Sequence, residues 1–110
     1  MAEPTAAVGQ VAYLDLPEML VNLKSDGPRP TFLKLGVSIE LDRPDDKPAV
    51  EKLMPRVVDS FQVYLRELRP DQLQGSAGLI RLREELLSRI NVAVKPLRVK
   101  DVLFKEMLVQ

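Results

Sequence analysis

The sequence predicts an α+β domain: a small antiparallel or mixed sheet of about three main strands, with two long helices packed on one face, in the order β-β-α-α-β. Three observations carry this reading. Residues 31–41 alternate strictly, with Thr31, Leu33, Leu35, Val37, Ile39 and Leu41 on one side and Phe32, Lys34, Gly36, Ser38 and Glu40 on the other. That period of two marks a strand packed on one side only. Two later segments repeat apolar residues at helical spacing, and the chain then returns to strand character over residues 99–110. At 110 residues the chain suits one core, burying roughly two-thirds of the surface exposed when unfolded.

Residues 1–10 are small and polar and read as a linker or frayed terminus. Val11 to Leu23 is strand-like but contains Pro17, which lacks a ladder donor, so this strand belongs at a sheet edge or is broken there. Asp26-Gly27, followed by Pro28 and Pro30, signals a turn, and the strands on either side most simply form an antiparallel hairpin. The register of residues 31–41 should be firm, because a slip of one residue would expose the whole apolar row.

Arg43-Pro44-Asp45-Asp46-Lys47-Pro48 ends the strand and opens a helix, with Asp45 or Asp46 as cap and Pro48 in the first turn. Val50, Leu53, Met54, Val57, Val58, Phe61, Leu65 and Leu68 form its apolar stripe. Pro55 lies inside that stripe, where an interior proline costs ~3 kcal/mol, so a kink or restart is expected between Glu51 and Pro55. Arg69-Pro70 should end the helix. Asp71-Gln72-Leu73 reads as a single turn that places Leu73 on the core. Ser76 is the expected cap of the second helix, with a stripe of Leu79, Leu82, Leu86, Leu87 and Ile90. Lys95-Pro96 breaks that helix before a last strand, which closes the fold beside one of the first two, because an uncovered edge this apolar would template aggregation.

Composition narrows the function. Sixteen basic and sixteen acidic residues cancel, and only 5% of residues are aromatic. There is neither a net field for nucleic acid nor a stacking platform for bases. The chain has no cysteine and no histidine, which removes disulfides, thiol nucleophiles and the commonest base and metal ligands. The remaining carboxylates, lysines, tyrosines and serines form no catalytic constellation, so we expect no enzyme, no metal and no cofactor. No run reaches the ~18 apolar residues of a membrane span, and the opening segment is no signal peptide. Taken alone, these two features describe a soluble cytosolic chain.

Several motifs have a plain reading beside a functional one. Arg81, Arg83, Glu84, Glu85 and Arg89 could form a docking face, although a solvated helix face with i,i+4 ion pairs explains them more simply. Phe32 and Tyr64 fall on or beside polar faces and could mark a contact patch, but singly exposed aromatics are ordinary. Asp45-Asp46 reads as a cap rather than half a cation site. Gly75-Ser76-Ala77-Gly78 lacks the lysine and preceding strand of a phosphate loop. Asn91 reads as a helix C-terminal capping residue.

Five segments, taken together, resemble a known family. They are Leu14 to Leu23, Phe32 to Leu41, Met54 to Asp59, Leu82 to Asn91 and Val99 to Gln110, covering nearly everything after residue 12 in order. The ending, where Val-Lys-Asp-Val-Leu-Phe precedes a final Val-Gln, is the most specific part. The chain resembles the periplasmic domain of the flagellar basal-body-associated FliL family. That resemblance implies a single-pass inner-membrane protein with this domain in the periplasm and a fold like the stomatin and prohibitin (SPFH) domain. It also implies assembly as rings and partnership with the flagellar stator proteins MotA and MotB, in support of stator activation, torque and swarming. Residues 1–11 then become a linker or vector-derived segment and residues 12–110 the FliL-like domain, the implied membrane helix being absent from the sequence. Phe32, Lys34, Arg66, Arg81 and Arg89 are the surface residues we assign to ring or stator contacts. Rival readings are an SPFH-like membrane scaffold without a flagellar role and a small-ligand sensor domain.

Overall fold

The alternating segment becomes the middle of the sheet. A computed structural model describes residues 11–25 and 27–110; the expected linker at residues 1–10 and the turn residue Asp26 lie outside them. The described residues form strands β1 (Ala12–Asp15), β2 (Met19–Leu23), β3 (Thr31–Leu41) and β4 (Val99–Val109). Between β3 and β4 come the helices α1 (Lys47–Lys52), α2 (Met54–Leu65) and α3 (Gly75–Ala93), with 3₁₀ turns at Pro44–Asp46 and Pro70–Leu73.

β1 and β2 both run antiparallel along one edge of β3, from Ala12 opposite Leu41 to Asp15 opposite Ser38, and from Met19 opposite Leu35 to Leu23 opposite Thr31. They are two pieces of the expected first strand. The Leu16 N–H still donates to the Val37 carbonyl at 2.9 Å; Pro17 has no N–H to continue the ladder, and the strand restarts at Met19. Four strands therefore occupy the three expected positions, and every pairing is antiparallel. β4 lies along the other edge of β3, from Val99 opposite Leu41 to Val109 opposite Leu33, with register shifts at Gly36/Val37 and Glu40/Leu41.

The inner row of β3, Leu33, Leu35, Val37 and Ile39, is fully buried beneath the helices. Val57, Phe61 and Leu65 of α2 and Leu82, Leu86 and Ile90 of α3 complete this core. Each such side chain contributes about 1.5–3 kcal/mol by leaving water, as an upper estimate.

The helix layer departs from the expected boundaries in instructive ways. The first helix is interrupted at Leu53, and Pro55 falls in the first turn of α2, where its missing N–H is no loss. Asp45 and Asp46 sit at the start of the helical region, yet neither makes a side-chain cap bond. α2 ends at Leu65 rather than at Arg69, and Leu68 stays buried while its carbonyl accepts the Lys24 N–H at 2.9 Å. The Pro70–Leu73 turn drops Leu73 onto the core as expected. Ser76 does not cap α3. The chain instead swings into the helix through Gly75 at φ +74°, a left-handed conformation that suits glycine.

The buried stripe of α3 is Gly78, Leu82, Leu86 and Ile90, while Leu87 is half-buried and Leu79 is 36% exposed. Gly78 takes the place expected of Leu79 because the Pro70–Leu73 turn lies directly on the helix there. A Cβ at Gly78 would stand 2.7 Å from the Gln72 carbonyl oxygen and 3.2 Å from the Leu73 carbonyl carbon. Gly78→Ala should therefore destabilise the domain by about 1–3 kcal/mol through this backbone clash, against the ~1 kcal/mol that helix propensity would give. Urea unfolding checks it, and an alanine variant as stable as the parent would disprove the close approach.

Candidate interaction surfaces

On the outer face of the sheet, Lys34 stands between Leu20 of β2 and Leu108 of β4. Its ammonium lies 3.7 Å from Glu18 and 3.9 Å from Glu106, so it is balanced on both sides by exposed carboxylates. Such pairs contribute little stability. Phe32, two positions along the strand and 37% exposed, and Leu20, 67% exposed, make the neighbourhood apolar. Phe32 and Gln110 exchange both backbone hydrogen bonds, at 2.8 and 2.9 Å. Farther along the same face, Lys105 donates to Asp15 at 2.8 Å. That bond, together with one from Ser38, holds the Asp15 carboxyl below its usual range.

The other expected contact residues lie in the helix layer, across the domain from this sheet face. Arg66 is exposed at the end of α2. Arg81 and Arg89 lie on α3. Arg89 donates to Glu85 at 3.0 Å, which realises the i,i+4 pair, and its guanidinium stands 4.5 Å over the Tyr64 ring. Tyr64 is accordingly a half-buried partner of Arg89 rather than a free aromatic. Burial, and then the nearby Glu85 carboxylate, push its phenol above the ordinary range. The five candidate residues thus divide into a sheet group, Phe32 and Lys34, and a helix group, Arg66, Arg81 and Arg89. One flat partner cannot touch both.

Three features escaped the sequence reading. Arg83, grouped there with the solvated face, makes a two-pronged bond to Asp101 of β4 at 2.9 and 3.1 Å. Asn91 is not the C-cap expected of it: the cap is Val94, and Asn91 lies inside α3. Its amide donates to the Leu87 and Val99 carbonyls at 3.2 and 3.0 Å, and its oxygen accepts the Val99 N–H at 2.8 Å. The side chain therefore stands in for a neighbouring strand at the start of β4. The third feature is a shallow, mainly apolar groove of about 560 Å³ lined by Pro17, Met54, Pro55, Val58, Asp59 and Gln62. Its two prolines were the breakers read from the sequence, and only the packing brings them together. Among the described residues, no group of three acidic side chains could hold a metal ion, and no helix is long and apolar enough to cross a membrane.

The domain offers two faces, a groove and a strand edge, which is the equipment of an interaction domain. The model of the family "Flagellar basal body-associated protein FliL" matches residues 13–110, and the chain belongs to that family. A flagellar FliL protein of Caulobacter vibrioides is 45% identical over 101 residues, covering 90% of this chain and 48% of the relative. The flagellar protein FliL of Bacillus subtilis is 29% identical over 89 residues, covering 81% of this chain and 61% of the relative. The chain thus spans about half the length of the Caulobacter relative. The family is a structural one of the flagellum, not an enzyme family.

Two outcomes test the local geometry. Asn91→Ala leaves the Val99 N–H without its acceptor and should cost about 1–3 kcal/mol in urea unfolding; an unchanged midpoint would show that the strand-mimicking contact is dispensable. For Tyr64, the folded state holds the phenolic proton more tightly than the unfolded state does. Its contribution to stability is therefore complete below pH about 10 and is lost as pH rises through the folded value. Tyr64→Phe should flatten that alkaline decline, read as unfolding free energy against pH.

Proposed function

We propose that this domain is a non-enzymatic contact module of the flagellar motor that associates with the MotA/MotB stator in the periplasm. In this reading residues 12–110 are the periplasmic domain of a protein held in the inner membrane by an N-terminal helix. Copies of it assemble as a ring around the stator's periplasmic linker and hold the stator open, supporting stator activation, torque and swarming. The observation that carries the reading is the family match over residues 13–110, which takes in every strand and helix but the first residue of β1. Two further points support it. The Caulobacter relative extends well beyond the matched half, which leaves room there for an anchor. The separation of the candidate contacts onto opposite layers also gives one face for self-contact and another for the stator.

The test is co-purification of the full-length, membrane-anchored protein with detergent-solubilised stator, against an unrelated single-pass control. Stoichiometric recovery of MotA and MotB is expected. Clean absence with an intact stator would transfer the reading to an SPFH-like membrane scaffold without a flagellar role. The two-face division has its own check. Lys34→Glu and Arg81→Glu should each reduce swarming with the fold intact by circular dichroism, but only one of them should lose stator recovery. Equal behaviour of both variants in both assays would remove the division.

A further inference from the structure

Among the described residues, β4 pairs only with β3, so one edge of an eleven-residue strand meets no neighbouring strand. The direction of its backbone groups follows from the register. Phe32 and Gln110 exchange both hydrogen bonds, at 2.8 and 2.9 Å, and the alternation of an antiparallel ladder turns every second residue outward. Val109 and Met107 therefore direct their N–H and C=O groups away from β3. Lys105 is the extra residue of the register shift, since Gly36 faces Glu106 and Val37 faces Phe104. Past that bulge the outward positions are Phe104, Val102 and Val99.

The two halves of this edge differ. At the first half, Asn91 occupies both backbone groups of Val99, and the Asp101 carboxylate accepts the Val102 N–H at 2.8 Å while held by Arg83. The second half, Phe104 to Val109, carries no such side-chain cover, and Leu108 and Val109 are exposed. An open strand edge of this kind is a site for strand addition.

We propose that β4 from Val102 to Val109, centred on its open second half, pairs antiparallel with the same segment of a second copy of this chain, about a two-fold axis between Lys105 and Glu106. In that register Lys105 faces Glu106 of the second copy, and the reverse, giving two opposite-charge pairs at the axis. Leu103 faces Leu108 on the outer face of the sheet, and Phe104 faces Met107 and Val102 faces Val109 on the inner face. The outward groups of Phe104 and Met107 meet each other, those of Val109 meet Val102, whose N–H must leave the Asp101 carboxylate, and apolar side chains meet apolar ones. Charged residues on an edge strand commonly serve to repel a second strand; here adjacent charges of opposite sign attract one. The register centred on Leu103 would also match charges, Lys100 with Glu106 and Asp101 with Lys105. It needs the backbone groups of Val99, which Asn91 already holds.

This inference stands apart from the stator reading, and a two-fold pair is closed, so ring contacts would lie on other surfaces. The test is sedimentation equilibrium of the full chain up to ~1 mM, a weak-affinity limit, with amide hydrogen exchange at several concentrations. A reversible dimer is expected, with protection rising at the Phe104, Met107 and Val109 amides. Lys105→Glu should weaken the dimer Kd by about tenfold, and adding Glu106→Lys should restore it to within about threefold. Circular dichroism confirms that the variants fold, because the Lys105–Asp15 pair is exposed. Met107→Pro is a second probe that removes an outward N–H without touching the β3 ladder, and it should abolish the dimer. A monomer throughout with unprotected amides would overturn the proposal. So would a dimer indifferent to both the charge exchange and the proline.

Discussion

The fold depends on keeping the inner row of β3 dry. Leu33, Leu35, Val37 and Ile39 have no exposed surface, and because strand side chains alternate, all of them point to one face. One face must then be roofed by helices while the other remains available to solvent. The roof is built from Val57, Phe61 and Leu65 of α2 and Leu82, Leu86 and Ile90 of α3. With neighbours on both edges, β3 is also the strand to which every other strand is registered. The broken edge strand and the bulged edge strand both follow from it.

Polar contacts add fixed points to this apolar packing between roof and sheet. Asn91 and Arg83 reach from α3 to Val99 and Asp101 at the start of β4, and Lys24 joins the first hairpin to Glu67 at the end of α2. Gly78 lets the Pro70–Leu73 turn settle against α3. The two α3 contacts hold the start of β4, whereas Lys24 follows Leu23, which pairs with Thr31 at the opposite end of β3. The far end of β4, with Leu108 and Val109 exposed, is left uncovered beside the apolar outer patch of Leu20 and Phe32. The core runs the length of β3, from Leu33 opposite Val109 to Ile39 opposite Val102, and the outer sheet face and the far β4 edge stay open beside it.

Much of this could be read from local pattern. The strand at residues 31–41, the break at Pro17, the restart before Pro55 and the turn at Asp71-Gln72-Leu73 are each set by residues within a few positions of one another. Proline's missing donor and the two side-chain periods act at that range. The candidate contacts were legible only as surface residues. Alternation already puts Phe32 and Lys34 on one strand face and the arginines on helices, but nothing local shows what each of them touches. Nor does local pattern show that Tyr64 is covered by Arg89, or that Arg83 is committed to a residue eighteen positions away.

By itself, then, the sequence determined the class of fold, the order and approximate limits of its elements, the apolar rows and the family, because periodicity, proline and segment resemblance are properties of short stretches. The tertiary structure alone decided that Ser76 yields the start of α3 to Gly75, that Gly78 displaces Leu79 from the buried stripe, and that Asn91 serves as a surrogate strand. It also decided which half of the β4 edge stays open. Each of these turns on how closely two distant backbones approach, a distance set by the packing of the whole core and by no single segment of it.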